Sequence, residues 1–281
     1  MATDHFKRAL ELARRQGKKS ASEQARNVIH RINDPIGLKS QYTDDFQHLE
    51  YTHTQIQTIS EQHLRDNRVI AGFPDDPNSS PFRILRTQLM QELRQHELNS
   101  IAITAAHSGA GKSLVAANLA VSLSLMTNIT VLLVDLDLRN PSIHHYFDID
   151  VKYGLYDYLT DAIPLKNILV NPGIDRLVVL PGSKPTSGSS ELLATKEALN
   201  LIDEICSRYA SRIILFDLPP LIGLDDALVV LPKIDASIFV VEANKTTEAE
   251  LQQSMQILED HHLLGTVFNK ADQLDIRHYG Y

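Results

Sequence analysis

The segment AHSGAGKS at residues 106–113 combines small residues, a lysine and a hydroxyl in an order suited to phosphate. It follows an apolar run and opens a helical pattern, so backbone N–H groups and the helix dipole would face phosphate oxygens. Lys112 would reach the β and γ phosphates, and Ser113 would place its hydroxyl on Mg²⁺. Ala106 replaces the glycine of the strict pattern, a tolerable change because alanine is the next smallest residue. The segment predicts a nucleotide-binding P-loop whose contacts are Ser108, Gly109, Ala110, Gly111, Lys112, Ser113 and Leu114.

Two later apolar runs end on carboxylates. In VLLVDLDLR, Asp135 and Asp137 are two residues apart, so an extended chain points both to one side at the carboxyl end of a strand. Ligands bind at that end in open α/β sheets. IILFDLPP puts Asp217 at another strand end, as expected for a Walker B aspartate that holds magnesium. Each aspartate alone could cap a helix or a turn, but three acidic strand ends beside a P-loop favour a magnesium-nucleotide site.

The pattern from Phe82 onward is one of short apolar runs separated by helix-length segments. The runs lack strict polar alternation, which is typical of parallel strands covered on both faces. We therefore expect an α/β fold, a doubly wound and mostly parallel sheet with helices on both faces. The predicted strands are residues 100–105, 131–135, 177–180, 213–216, 236–241 and 265–268.

The first 79 residues are polar, with helical patterns near residues 5–16, 21–32 and 54–66. We expect a helical extension there, ending in a linker at the proline-rich stretch 71–81. A local excess of positive charge near the start indicates a solvated helix rather than a membrane-binding one. The predicted organisation is an N-terminal extension and linker at 1–79, a nucleotide-binding domain at 80–273 and a tail at 274–281.

Composition limits the possible partners and location. The 281-residue chain has a net charge of -8, which disfavours nucleic acid as a partner because binding to phosphates requires a basic surface. Cys206 is the single cysteine, so no internal disulfide can form, and a reducing cytoplasm fits best. The opening residues lack the apolar core of a secretory signal, and no apolar stretch reaches the length of a membrane span. We expect a cytoplasmic protein that a partner recruits to the inner face of the membrane.

A P-loop followed by hhhhDxDxR and hhhDxPP, where h is apolar, resembles the bacterial tyrosine kinases of capsule and exopolysaccharide systems. These kinases are related to the partition-type P-loop ATPases. The resemblance covers residues 81–272 and extends to the chain's end. The features that support it are Arg83, Arg86, GLYDYL at 154–159, SELL at 190–193 and YGY at 279–281.

The resemblance implies an ATP-dependent kinase that phosphorylates tyrosines in the tail of a neighbouring subunit, here Tyr279 and Tyr281. It also implies a role in polysaccharide polymerisation and export. The implied partners are further copies of the chain, a separate transmembrane activator of the chain-length-regulator type and a cognate tyrosine phosphatase. Asp137 is expected to assist the tyrosine hydroxyl, whereas Ser113, Asp135 and Asp217 are expected to hold magnesium. The residues that match the family's Mg·ATP ligands are Lys112, Ser113, Asp135, Asp137 and Asp217.

Some positions depart from the related patterns. His107 stands where partition-type ATPases place a signature lysine, which favours the kinase reading. Ser80 replaces the glutamate of the family's Glu-x-x-Arg-x-x-Arg helix, which argues against ring assembly through that contact. NKAD at 269–272 matches a guanine-reading pattern, but the DxDxR and DxPP elements favour ATP, leaving Asn269 as a base-edge contact and Arg139 as a further nucleotide contact. A nucleotide switch and a nucleotide-binding scaffold without phosphotransfer remain alternatives.

Overall fold

Six predicted apolar runs form strands of a single sheet. A computed structural model describes residues 54–207 and 211–271. Among these residues the sheet has eight strands, in the order β1-β4-β5-β3-β6-β2-β7-β8. The strands are β1 (Gln55–Ile56), β2 (Ser100–Ala105), β3 (Thr130–Asp135), β4 (Val170–Asn171), β5 (Leu177–Leu180), β6 (Arg212–Asp217), β7 (Ala236–Glu242) and β8 (Leu263–Asn269).

The sheet is mostly parallel, which confirms the predicted fold class. Only the β4–β5 pair is antiparallel among the described strands. Every residue of β2, β3, β5 and β7 is buried, so both faces of the sheet are covered at its centre. The bounds of the six predicted strands lie within two residues of those observed. The pattern missed β1 and β4, which have two residues each.

Helices and short 3₁₀ turns connect the strands. None of the helices in the described ranges is long and apolar enough to span a bilayer. The α-helices there are α1 (Glu61–Asp66), α2 (Ser80–His96), α3 (Lys112–Ser124), α4 (Ile143–Tyr146), α5 (Leu155–Asp161), α6 (Ser189–Leu193), α7 (Lys196–Ser207), α8 (Asp226–Val230) and α9 (Glu248–Ile257).

Helix α3 is the buried helix of the fold. All of its residues except Leu114 are buried, and it contacts β2, β3 and β6. A helix that is apolar on nearly all sides belongs in a core. Its burial fixes the start of the helix, and therefore the end of the phosphate loop, relative to the sheet.

Residues 54–79 and the sheet belong to one compact unit, and this unit begins at residue 52. The segment predicted as a linker, 71–81, lies within this unit, and the boundary predicted at 79/80 stays a prediction. Of the helix predicted at 54–66, only Glu61–Asp66 is helical, and Gln55–Ile56 pairs with β4. The side chains that this segment adds to the hydrophobic core are Leu64, Val69, Ala71 and Phe73.

Asn118, in the middle of α3, anchors this segment. Its carboxamide oxygen accepts hydrogen bonds from the N–H groups of Ile70 and Ala71, at 2.8 and 3.0 Å. Its amide nitrogen donates to the Arg68 carbonyl at 2.9 Å. A polar side chain inside an apolar helix thus satisfies three backbone groups of a distant segment. The two helices predicted near 5–16 and 21–32, and the tail, lie outside the described residues.

We expect Asn118→Ala to lower the free energy of unfolding by about 2–4 kcal/mol, because it leaves buried backbone N–H groups without acceptors. Urea denaturation measures the change. Asn78→Ala is the matched control, since Asn78 is exposed and its side chain should contribute little. Equal stabilities of the two variants would contradict the anchoring role.

Candidate active site

The phosphate loop joins β2 to α3. Gly109 and Gly111 have φ angles of +81° and +93°, which lie in the left-handed region that favours glycine. A Cβ atom at Gly111 would also collide with the side-chain amide of Asn269. Gly111 precedes the first residue of α3, Lys112, and its carbonyl accepts the first helical hydrogen bond, from Val115 at 3.0 Å. The loop therefore makes a glycine-dependent turn directly before the start of a helix. Loops of this shape bind phosphate in other proteins.

The three predicted carboxylates converge on this loop. Strands β3 and β6 pair in parallel with Asp135 directly opposite Asp217, so both carboxylates lie at the same edge of the sheet. Asp137 follows β3, and its Oδ2 lies 2.6 Å from Nζ of Lys112. All three aspartates are buried, as is Lys112. One buried ammonium thus faces three buried carboxyl groups.

The site is electrostatically asymmetric. Burial alone would lower the pKa of Lys112, but the carboxylates of Asp217 and Asp137 outweigh burial and raise it, so the ammonium stays charged. Burial raises the pKa of Asp217 to about 6, although Lys112 and the Ser113 hydroxyl act to lower it. Burial and the charge of Asp217 raise the pKa of Asp135 well above its usual range. The three carboxyl groups at this edge of the sheet, if all ionised, would therefore carry more negative charge than Lys112 neutralises.

Three oxygen atoms at this edge lack a well-aligned hydrogen-bond donor: Oδ1 of Asp135 and both carboxylate oxygens of Asp217. The other oxygen of Asp135 accepts from the N–H groups of Ser142 and Ile143, at 2.8 and 3.0 Å. Buried carboxylate oxygens without donors are costly unless a cation satisfies them. Hard oxygen donors beside the Ser113 hydroxyl suit Mg²⁺.

The protein alone does not complete a metal cage. No group of three His, Cys, Asp or Glu side chains within residues 54–207 and 211–271 is arranged to hold a metal ion. Magnesium usually binds one or two carboxylates and completes its shell with water and substrate phosphates. The donor set therefore fits magnesium that arrives with a nucleotide.

Arg139 contacts the start of α8. Its Nε donates to Oδ2 of the fully buried Asp226 at 2.9 Å, and its Nη2 lies 3.9 Å from Asp225. This ion pair ties the loop after β3 to the segment that follows the Asp217 strand. A direct nucleotide contact by Arg139 stays a prediction.

Other predicted positions occupy different surroundings. Ser108 is exposed at the tip of the loop and Leu114 is half-buried in the first turn of α3. Nε2 of His107 lies 3.3 Å from the Thr246 hydroxyl. The predicted acceptors Tyr279 and Tyr281 lie outside the described residues.

The sequence pattern missed three residues near this site. Lys270 donates from Nζ to the Gly109 carbonyl at 2.6 Å and to Glu242 at 3.0 Å. Glu242 is the last residue of β7, one residue beyond the predicted strand. An acidic residue at a strand end was therefore the sequence signal that could have marked Glu242 as part of the site. The pKa of Tyr146 is raised by burial and by the charge of Asp217, which places its phenol in the field of the site. No local pattern marks Tyr146.

A family model described as an AAA domain matches residues 98–263. The tyrosine-protein kinase YwqD of Bacillus subtilis is 30% identical over 220 residues, a match that covers 78% of this chain and 92% of that protein. The chain belongs to the bacterial tyrosine kinase family. EpsB of Ralstonia nicotianae, a putative tyrosine-protein kinase, is 32% identical over 225 residues, which is 78% of this chain and 28% of that protein.

The solved structures agree with this membership. The kinase domain of Escherichia coli tyrosine kinase Etk superposes with a TM-score of 0.66 at 26% identity, covering 81% of this chain and 94% of that domain. The match of this chain spans nearly the whole of YwqD but little more than a quarter of the length of EpsB.

Proposed function

We propose that this bacterial tyrosine kinase transfers the γ-phosphoryl group of Mg·ATP to Tyr279 or Tyr281 of a neighbouring copy. The observation that carries the proposal is the buried Lys112, 2.6 Å from Asp137, beside Asp217, whose oxygens lack a well-aligned hydrogen-bond donor. A charged lysine at a phosphate loop next to unpaired carboxylate oxygens suits a nucleotide and its magnesium together. Phosphoryl transfer needs mainly positioning and charge neutralisation, which this arrangement supplies.

The roles proposed for the residues come from the family resemblance, and their contacts support them. Lys112 exchanges its partner Asp137 for phosphate oxygens when the nucleotide enters. Ser113, Asp135 and Asp217 would hold magnesium, which would neutralise charge on the phosphates. The tyrosine oxygen bonds to the γ-phosphorus, the bond to the ADP oxygen breaks, and Asp137 accepts the phenolic proton. Asp137 suits this step because, among the described residues, loss of the Lys112 contact leaves its carboxylate with the neutral Asn140 N–H as its donor, at 3.1 Å.

The partners in this proposal come from the family resemblance. Further copies of the chain supply the acceptor tails, and a separate transmembrane protein of the chain-length-regulator type activates the kinase at the inner face of the membrane. A cognate phosphatase would remove the phosphate. The output of this cycle is control of exopolysaccharide or capsule polymerisation and export.

A mixed-subunit assay tests the proposal. Tagged full-length Asp217→Asn, which keeps its tail but lacks an intact site, is mixed with untagged Tyr279→Phe/Tyr281→Phe. Mg·ATP is added, with and without the cytoplasmic segment of the activator. Phosphotyrosine is expected on the tagged chain alone, and neither variant should be labelled by itself.

Two other outcomes would contradict the kinase proposal. ATP hydrolysis without phosphotyrosine in any mixture would favour a nucleotide switch. Nucleotide binding without turnover would favour a scaffold. Competition of GTP against ATP in the same assay determines which base the site accepts.

A further inference from the structure

The outer side of the phosphate loop has its own partners. When successive N–H groups of a loop face a phosphate, carbonyl groups turn away and need donors of their own. The carbonyl of Ala110 accepts from the Asn269 side-chain amide at 2.8 Å, and that of Gly109 accepts from Lys270 at 2.6 Å. Two consecutive residues at the end of β8 thus satisfy two consecutive carbonyls of the loop.

Both donors are held by the adjacent strand. Asn269 pairs in register with Glu242 of β7, and its carbonyl accepts from the N–H of Ala243 at 2.9 Å. The carboxylate of Glu242 lies 3.0 Å from the Lys270 ammonium. Lys270 has a φ angle of +56°, a left-handed conformation that a non-glycine residue keeps only when its surroundings enforce it. Both donors are therefore tied to β7 as well as to the loop.

The packing against the loop is tight. The Asn269 amide lies where a Cβ of residue 111 would be, so only glycine fits beneath it. An amide nitrogen that donates to Ala110 and packs on Gly111 is engaged with the loop itself.

We propose that Asn269 and Lys270 are positioning residues of the phosphate loop, which hold it ready for phosphate before any nucleotide binds. The proposal rests on the proposed Mg·ATP function and gives Asn269 a role other than the base-edge contact predicted from NKAD. A loop that is already shaped loses less conformational entropy when a nucleotide binds. Loss of the hydrogen bond to the Ala110 or the Gly109 carbonyl should therefore weaken the binding of the nucleotide's phosphates to the loop.

Hydrogen exchange on the nucleotide-free, full-length protein tests the loop directly. In Asn269→Ala and in Lys270→Ala, amides of residues 106–112 should exchange about tenfold faster than in the unaltered protein. Lys270→Arg, which keeps a charged donor, should retain most of the protection. The matched control is Lys245→Ala, because Lys245 also pairs with Glu242, at 3.2 Å, but makes none of the loop contacts described above.

Calorimetric titration with Mg·ADP gives the second readout. Both alanine variants should bind about tenfold more weakly, with Lys270→Arg and Lys245→Ala near the unaltered protein. Unchanged loop exchange in both alanine variants would overturn the proposal, as would faster exchange spread evenly over the domain. If Mg·ADP fails to bind the unaltered protein but the exchange results hold, the proposed function fails and the positioning role stands.

Discussion

Lys112→Met is expected to abolish phosphotransfer and to lower the free energy of unfolding by about 3–5 kcal/mol. Phosphotransfer should be lost because Lys112 is the cation proposed to bind the phosphates, and no other described cation lies within 4.0 Å of its partner, the Asp137 carboxylate, to replace it. The stability loss follows because the buried Asp137 would lose its ion-pair partner. Urea denaturation and phosphotyrosine formation measure the two effects.

The double variant Lys112→Met/Asp137→Asn separates these effects. Removal of the second charge should recover most of the lost stability, because replacing both partners of a buried pair costs far less than removing one. It should leave phosphotransfer undetectable. If Lys112→Met alone is as stable as the unaltered protein, the Lys112 contact has no structural role and the buried carboxyl groups adjust without it.

The predicted strand ends show what local sequence determines in this fold. Asp135 and Asp217 each end a run of apolar residues, and parallel pairing of the two runs brings the carboxylates opposite each other. The loop glycines were equally readable, because their left-handed φ angles are those that glycine adopts at least cost. Where one element fixes both a residue's type and its position, the sequence is sufficient.

The segment before residue 80 shows where local pattern fails. Its few apolar residues and its prolines are typical of a linker, yet Val69 and Phe73 are buried in the core. The backbone between them is satisfied by Asn118, which lies 47 residues from Ala71 in sequence. A polar contact over that separation leaves no trace in the periodicity of either segment.

The same limit applies to the site. Arg139 was recognisable as a charge after a strand, but its partner Asp226 is 87 residues away. Lys270 was visible beside Asn269, yet its contact with Gly109 depends on where β8 lies in the sheet. Sequence therefore predicted the lysine and aspartates that meet at the phosphate loop better than the distant residues that contact them.

Asp217→Asn is expected to be inactive and yet more stable than the unaltered protein. Both oxygens of this buried carboxylate lack well-aligned donors, and burial raises its pKa to about 6. The raised pKa means that the folded protein disfavours ionisation of this carboxyl group, and asparagine removes that cost, although its own buried amide costs part of the gain. We expect a net gain of about 1–2 kcal/mol in metal-free buffer.

The raised pKa of Asp217 also predicts the direction in which the stability of the metal-free protein changes with pH. The folded pKa of Asp217 lies above that of an unfolded aspartate, about 3.9, so the folded chain binds more protons between the two values. Through this group the metal-free protein loses stability as the pH rises from about 4 to about 6. Asp217→Asn removes that contribution, so its stability should fall less steeply over the same range, while Asp135 still contributes in the same direction.

Urea denaturation in EDTA at several pH values measures this difference, with Asp225→Asn as the matched control because Asp225 lies nearby and is exposed. The control should keep both its stability and its pH dependence. Addition of Mg·ADP should make the unaltered protein more stable than Asp217→Asn, because a ligand stabilises only a protein that binds it. If Asp217→Asn is less stable than the unaltered protein in EDTA, the Asp217 carboxylate stabilises the metal-free fold. The argument that its oxygens need a bound cation would then fail.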